Sequence, residues 1–138
     1  GIRLRGPATI APVDVATLPY PGVATDYKPL ITTMLSVASG VSVVTENLFT
    51  GRFRYVDELT RLGAQITTEG HHALVRGVDH LVGTTVRATD IRAGAALVLA
   101  GLVADGETII EGLEHLDRGY DRFVERIAAL GAHVERES

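Results

Sequence analysis

The chain contains no cysteine, which excludes disulfides, a thiolate metal site and a cysteine nucleophile within it. It also lacks an excess of positive charge. Thirteen Lys and Arg stand against 17 Asp and Glu, for a formal net charge of -4, so it is not a basic nucleic-acid binder. Any anionic ligand must be held by locally placed arginines or lysines, not by the overall field.

Long hydrophobic runs are missing too. The longest, Ala93 to Ala104, is too short to span a bilayer and reads as a buried helix. The arginines within Gly1 to Gly6 are followed by no apolar core, so this stretch is not a signal peptide. The expectation is a soluble, cytoplasmic protein without membrane insertion.

Motifs for common cofactors are absent. No Gly-rich dinucleotide loop, P-loop, nucleophile elbow or HExxH occurs. His71 and His72 are adjacent on a predicted strand or turn and would face opposite ways. His80, His115 and His133 show no ligand spacing. The expectation is therefore neither a metal nor a cofactor.

What is present suffices for a folded domain: 138 residues, 46% hydrophobic and 22% charged. An internal repeat organises them. Thr25-Asp26-Tyr27-Lys28 aligns with Thr89-Asp90-Ile91-Arg92, and Gly40 to Val44 with Gly106 to Ile110. Arg52 then aligns with Arg118, and Leu62-Gly63-Ala64 with Leu130-Gly131-Ala132. The matches keep one order, and their spacing widens slightly, as two short insertions would produce.

Each copy predicts one α/β unit. In copy one a helix opens at Thr25/Asp26, with Asp near its positive end and Pro29 in the first turn, and stops at Gly40. A strand, Val41 to Thr45, precedes a loop and a helix from about Arg54 to Leu62. Two strands follow around the Glu69-Gly70 turn, the second at Ala73 to Arg76. Copy two predicts helix Asp90 to Ala104, strand Thr108 to Glu111, helix Tyr120 to Leu130 and strand Ala132 to Glu135.

Its first helix is apolar on nearly every face and should be surrounded by protein. Copy two ends one strand short of the pattern. Ile2 to Gly6 resembles Ala73 to Gly77, which predicts the last strand of a preceding copy. The expected units are about 18–77 and 84–138, with 1–17 as the tail of another, in a piece of a longer repeat protein.

The repeat singles out Asp26, Arg52, Asp90, Arg92 and Arg118. One reading is plain: Asp at a helix start is a cap, and a loop Arg is solvated or paired with a nearby acid. The other reading brings helix starts and guanidinium forks together in one cleft. Such a cleft holds phosphates and carboxylates, and a carboxylate in it can take a proton from a hydroxyl.

Four stretches carry a resemblance that spans most of the chain in order. They are Leu18 to Asp26, Thr45 to Phe53, Ala88 to Ala93 with the Ala-Leu-rich helix after it, and His115 to Tyr120. Here the chain resembles the UDP-N-acetylglucosamine enolpyruvyl transferases, which make the first committed step of peptidoglycan synthesis. The shikimate-pathway enolpyruvyl transferases share the fold and fit these loops less well.

The resemblance implies an inside-out α/β barrel of repeated βαβαββ units with helices packed inside, this chain being a C-terminal portion. It implies that the sugar 3′-hydroxyl adds to the central carbon of phosphoenolpyruvate and that phosphate then leaves. Asp26 matches the residue that binds this hydroxyl and takes its proton. Leu48 matches a backbone contact to the nucleotide sugar, and Arg118 an arginine on phosphoenolpyruvate. Arg52, Asp90 and Arg92 match cleft residues. The family's Lys-Asn pair, its general-acid loop and a further phosphate-binding arginine have no counterpart here, so the chain alone is expected to be inactive without the rest of the enzyme. A non-catalytic ligand-binding module of the same fold is the alternative from another class.

Overall fold

A computed structural model describes residues 1–49 and 53–137. Its first unit runs β1 (Val15–Ala16), a 3-10 turn (Thr25–Tyr27), α1 (Lys28–Leu35), β2 (Val41–Thr45), α2 (Tyr55–Arg61), β3 (Gln65–Glu69) and β4 (His72–Arg76). The four strands form one sheet in the order β1-β2-β4-β3. β1 runs parallel to β2, with Val15 opposite Val44, because α1 carries the chain back across the sheet. β3 and β4 form a hairpin, with Glu69 opposite His72.

The second unit has two parallel pairs. β5 (Leu81–Val82) lies beside β7 (Ala104–Asp105), and β6 (Thr85–Arg87) beside β8 (Ile109–Glu111). Between them runs α3 (Ile91–Val103), followed by α4 (Glu114–Asp117) and α5 (Phe123–Ala129). Strands and helices alternate in both halves.

The alternation of Val41 to Thr45 points Ser42 and Val44 inward. Val44 joins Leu35, Ala38, Ala73 and Val75 in one apolar cluster. The second cluster contains Tyr55, Val56, Leu59 and Leu62 of the α2 segment with Ala93, Leu97 and Ala100 of α3. Phe53 and Ile66 pack against both. Within the core, the Tyr55 hydroxyl meets Thr32 Oγ1 at 3.1 Å; burial pushes its pKa up. Small residues let α3 sit close to its neighbours, and Gly94 abuts Leu116 and Ala88.

Several expectations are corrected. The helix expected from Thr25 to Gly40 is an α-helix only over Lys28–Leu35. Thr25–Tyr27 winds as a 3-10 turn, and the Asp26 side chain caps neither. No strand forms at Ala132 to Glu135, and none at Ile2 to Gly6, where Ile2 and Leu4 are about nine-tenths exposed. Both segments have the right pattern, but the described residues offer neither a partner ladder, and an unpaired strand leaves its backbone groups unsatisfied. Helix α5 begins at Phe123, not Tyr120, after Arg122 in a left-handed conformation. Finally, α3 is not surrounded on all sides among the described residues, since Leu99, Leu102 and Val103 are exposed.

Candidate active site

The aligned Asp residues occupy different settings. Asp90 is extended at the N-cap of α3, and its Oδ1 accepts from the backbone N–H groups of Arg92 at 2.9 Å and Ala93 at 3.1 Å. Burial opposes ionisation of Asp90, but these two N–H donors and the Arg92 guanidinium outweigh it and lower its pKa. Here the plain reading, a helix cap, is what the structure contains.

Asp26 has no such duty. Its side chain is about two-thirds exposed, and Oδ1 accepts from Arg92 Nη1 at 3.0 Å. Oδ2 accepts nothing among the described residues. Arg92 Nε meanwhile donates to Asp90 Oδ1 at 3.2 Å. One guanidinium fork therefore joins the first turns of both units. Partial burial disfavours its charge, but Asp26 and Asp90 more than compensate and raise its pKa.

Arg118 follows α4, exposed, and makes no side-chain hydrogen bond or ion pair among the described residues. The structure does not join it to Asp26. It does seat the adjacent Gly119 against Ile91 Cδ1 at the start of α3, so that a Cβ there would require the Ile91 side chain to move. Arg52 lies outside the described residues. Leu48 is partly exposed, and its N–H donates to Glu46 Oε1 at 2.9 Å.

Glu46 and Lys28 were not among the candidates. Both are almost wholly buried, with Nζ 2.6 Å from Oε2. Thr25 Oγ1 donates to the same oxygen at 2.8 Å. Oε1 accepts from Thr17 Oγ1 at 2.9 Å and from the N–H groups of Leu48 and Phe49 at 2.9 and 3.2 Å. Burial alone would raise the Glu46 pKa, yet the ammonium of Lys28, the threonine hydroxyls and the Leu48 N–H bring it down to about 2. Lys28 also lies over the Phe53 ring, 4.3 Å from its centroid.

A sequence signal for Lys28 existed: with Thr32 and Leu35 it forms an i, i+4, i+7 stripe, all buried. A lysine on a buried stripe demands an acid partner. Which acid answers it is a matter of tertiary structure.

No group of His, Asp or Glu capable of holding a metal occurs among the described residues. The arrangement offers one open carboxylate oxygen at a helix start, flanked by a fixed guanidinium, with Leu48 partly exposed in the loop after β2. That is equipment for binding a polar ligand and accepting a proton from it.

The sequence profile of EPSP synthase (3-phosphoshikimate 1-carboxyvinyltransferase) matches residues 1–127. The chain belongs to this family.

Among curated EPSP synthase family relatives, it is 56% identical over 124 residues to the UDP-N-acetylglucosamine 1-carboxyvinyltransferase of Mycolicibacterium paratuberculosis, an alignment with 90% of this chain and 30% of that protein. It is 52% identical over 136 residues to UDP-N-acetylglucosamine 1-carboxyvinyltransferase 3 of Symbiobacterium thermophilum, covering 99% of this chain and 32% of that one. The chain therefore spans about a third of the length of these relatives. Among solved structures, the enolpyruvyl transferase NikO from Streptomyces tendae superposes with a TM-score of 0.84 at 32% identity, over 93% of this chain and 30% of that one. EPSP synthase from Acinetobacter baumannii, 24% identical with a TM-score of 0.64 over 97% of this chain and 30% of that one, shares the fold.

Proposed function

We propose that this segment belongs to an enzyme that transfers the enolpyruvyl group of phosphoenolpyruvate to the 3′-hydroxyl of UDP-N-acetylglucosamine, releasing phosphate, in peptidoglycan synthesis in the cytoplasm. The observation that carries the reading is Asp26: an exposed carboxylate at the head of α1, with one oxygen fixed by Arg92 and the other open. The Oδ2 oxygen takes the hydroxyl proton as the sugar oxygen bonds to the central carbon of phosphoenolpyruvate. The methylene gains a proton as the tetrahedral centre forms; phosphate and one methyl proton then leave together, which restores the carbon–carbon double bond.

In this reading Arg92 keeps Asp26 correctly turned, while Asp90 keeps Arg92 in place. The backbone at Leu48 contacts the nucleotide sugar. Arg118 and Arg52 hold phosphoenolpyruvate and neighbouring negative charge, where guanidinium forks match carboxylate and phosphate geometry. The family's general-acid loop has no counterpart in this sequence, so in this reading the remaining part of the enzyme supplies the acid that protonates the methylene of phosphoenolpyruvate.

The name of the matching profile favours a second reading, shikimate 3-phosphate as the acceptor. The identities to the amino-sugar enzymes support the first. Phosphate release from phosphoenolpyruvate, measured with each acceptor on this chain and on the complete enzyme, separates the readings. Release only from the complete enzyme and only with UDP-N-acetylglucosamine is expected. Release with shikimate 3-phosphate alone would reverse the assignment. Release with neither acceptor from a folded complete enzyme would leave a ligand-binding module.

A further inference from the structure

The carboxylate of Glu46 divides its bonds by oxygen. Oε1 serves the loop after β2, through the N–H groups of Leu48 and Phe49, and Thr17. Oε2 serves the head of α1, through Thr25 and Lys28, the residues that flank Asp26 and Tyr27. One rigid group thus spans the two segments that carry the proposed base and the proposed sugar contact. Because the N–H of Leu48 is taken by Glu46, its carbonyl is the backbone group left for a ligand.

The copies differ at this point. In the repeat register Glu46 aligns with Gly112, so the second unit has no acid there. Arg92, the counterpart of Lys28, turns outward to Asp26 instead of inward. Among the described residues, only the first unit has such a clamp.

We propose that Glu46 is a positioning residue for the transfer reaction: it fixes the Asp26 turn and the Leu48 loop relative to each other, so that an acceptor sugar seated on the loop presents its hydroxyl to Asp26. This rests on the enolpyruvyl-transfer reading. A purely structural buried ion pair would support folding without linking acceptor binding to the base.

The chemistry of glutamine supplies the test. An amide has one acceptor oxygen and one donor nitrogen. In Glu46→Gln the nitrogen must face either the Lys28 ammonium or the Leu48 and Phe49 N–H groups, all of them donors. Lys28→Met in the same background removes the ammonium, and the amide nitrogen can then donate to Thr25 while its oxygen keeps the loop.

The complete enzyme carrying this segment is assayed by steady-state kinetics, with amide hydrogen exchange followed at residues 25–28 and 46–49. Glu46→Gln is expected to raise KM for UDP-N-acetylglucosamine and lower kcat, each by about tenfold, with KM for phosphoenolpyruvate unchanged. Exchange rises in both segments, and the added Lys28→Met recovers most of each loss. If Glu46→Gln does not fold, Thr25→Val is read instead, with a lower kcat expected.

Unchanged kcat and acceptor KM per folded molecule, in whichever variant is read, would overturn the proposal and leave a structural ion pair. A wild-type enzyme inactive with both acceptors would instead defeat the transfer reading. In that case exchange still decides the clamp: increases in both segments keep it, and an increase in one or neither overturns it.

Discussion

Arg92 Nη1 lies 3.0 Å from Asp26 Oδ1 across a separation of 66 residues, and joins the 3-10 turn before α1 to the first turn of α3. The same guanidinium holds Asp90 through Nε. The pair is too exposed to contribute much to stability, where such contacts give roughly 0–1 kcal/mol. Its consequence is orientation of a carboxylate.

Replacing Asp26 by Asn should therefore separate activity from folding. In the complete enzyme, kcat is expected to fall on the order of 10²–10⁴-fold, with the thermal midpoint nearly unchanged. Phosphate-release kinetics and calorimetry check the two halves. Full activity in Asp26→Asn would remove it as the base.

Arg92→Lys keeps the charge and loses the fork. A lysine cannot address Asp26 and Asp90 as Nη1 and Nε do. About a tenfold fall in kcat/KM is expected, against a stability loss of less than about 1 kcal/mol. Wild-type kinetics in Arg92→Lys would show that the fork has no role in aligning Asp26.

Asp90→Ala acts on the helix. It leaves the N–H groups of Arg92 and Ala93 at the start of α3 without their acceptor, and should cost about 1 kcal/mol by chemical denaturation. Asp90→Ser should restore most of it, since a hydroxyl can also cap. Equal losses in the two variants would show that the cap is not the source.

Glu46 predicts a pH dependence. Its folded pKa, about 2, lies below the ordinary 4.5, so between these values the unfolded chain binds the proton more readily. The stabilisation is complete above about pH 4.5 and is lost as pH falls toward 2, with a total on the order of 3 kcal/mol. Asp90, also lowered, contributes in the same direction. Denaturation midpoints of this chain between pH 5 and 2 should fall steeply, and Glu46→Gln should flatten that slope. Parallel slopes in the two proteins would contradict the buried pairing.

Local pattern decided much of the architecture. The alternation in Val41 to Thr45, the Gly70 turn between β3 and β4, and Asp90 ahead of an apolar run specify their elements through periodicity and capping, which neighbours in sequence determine. The internal repeat likewise marked Asp26 and Asp90, and Lys28 and Arg92, as counterparts at the heads of two units. What could not be read this way was the inequality between them. Asp90 caps and Asp26 does not, because Thr25–Tyr27 winds as a 3-10 turn whose side chain at Asp26 points to Arg92 in the other unit.

The strands expected at Ile2 to Gly6 and Ala132 to Glu135 mark the same boundary from the other side. Their alternation is adequate, but a strand exists only when a neighbouring ladder takes up its hydrogen bonds. The sequence by itself determined the repeat, its turns and caps, and the residue types of a polar site. The tertiary structure alone decided that Lys28 turns inward to Glu46 while Arg92 turns outward to Asp26. The physical reason is that the burial of a charge, and the partner it then requires, depend on which distant segment folds over it.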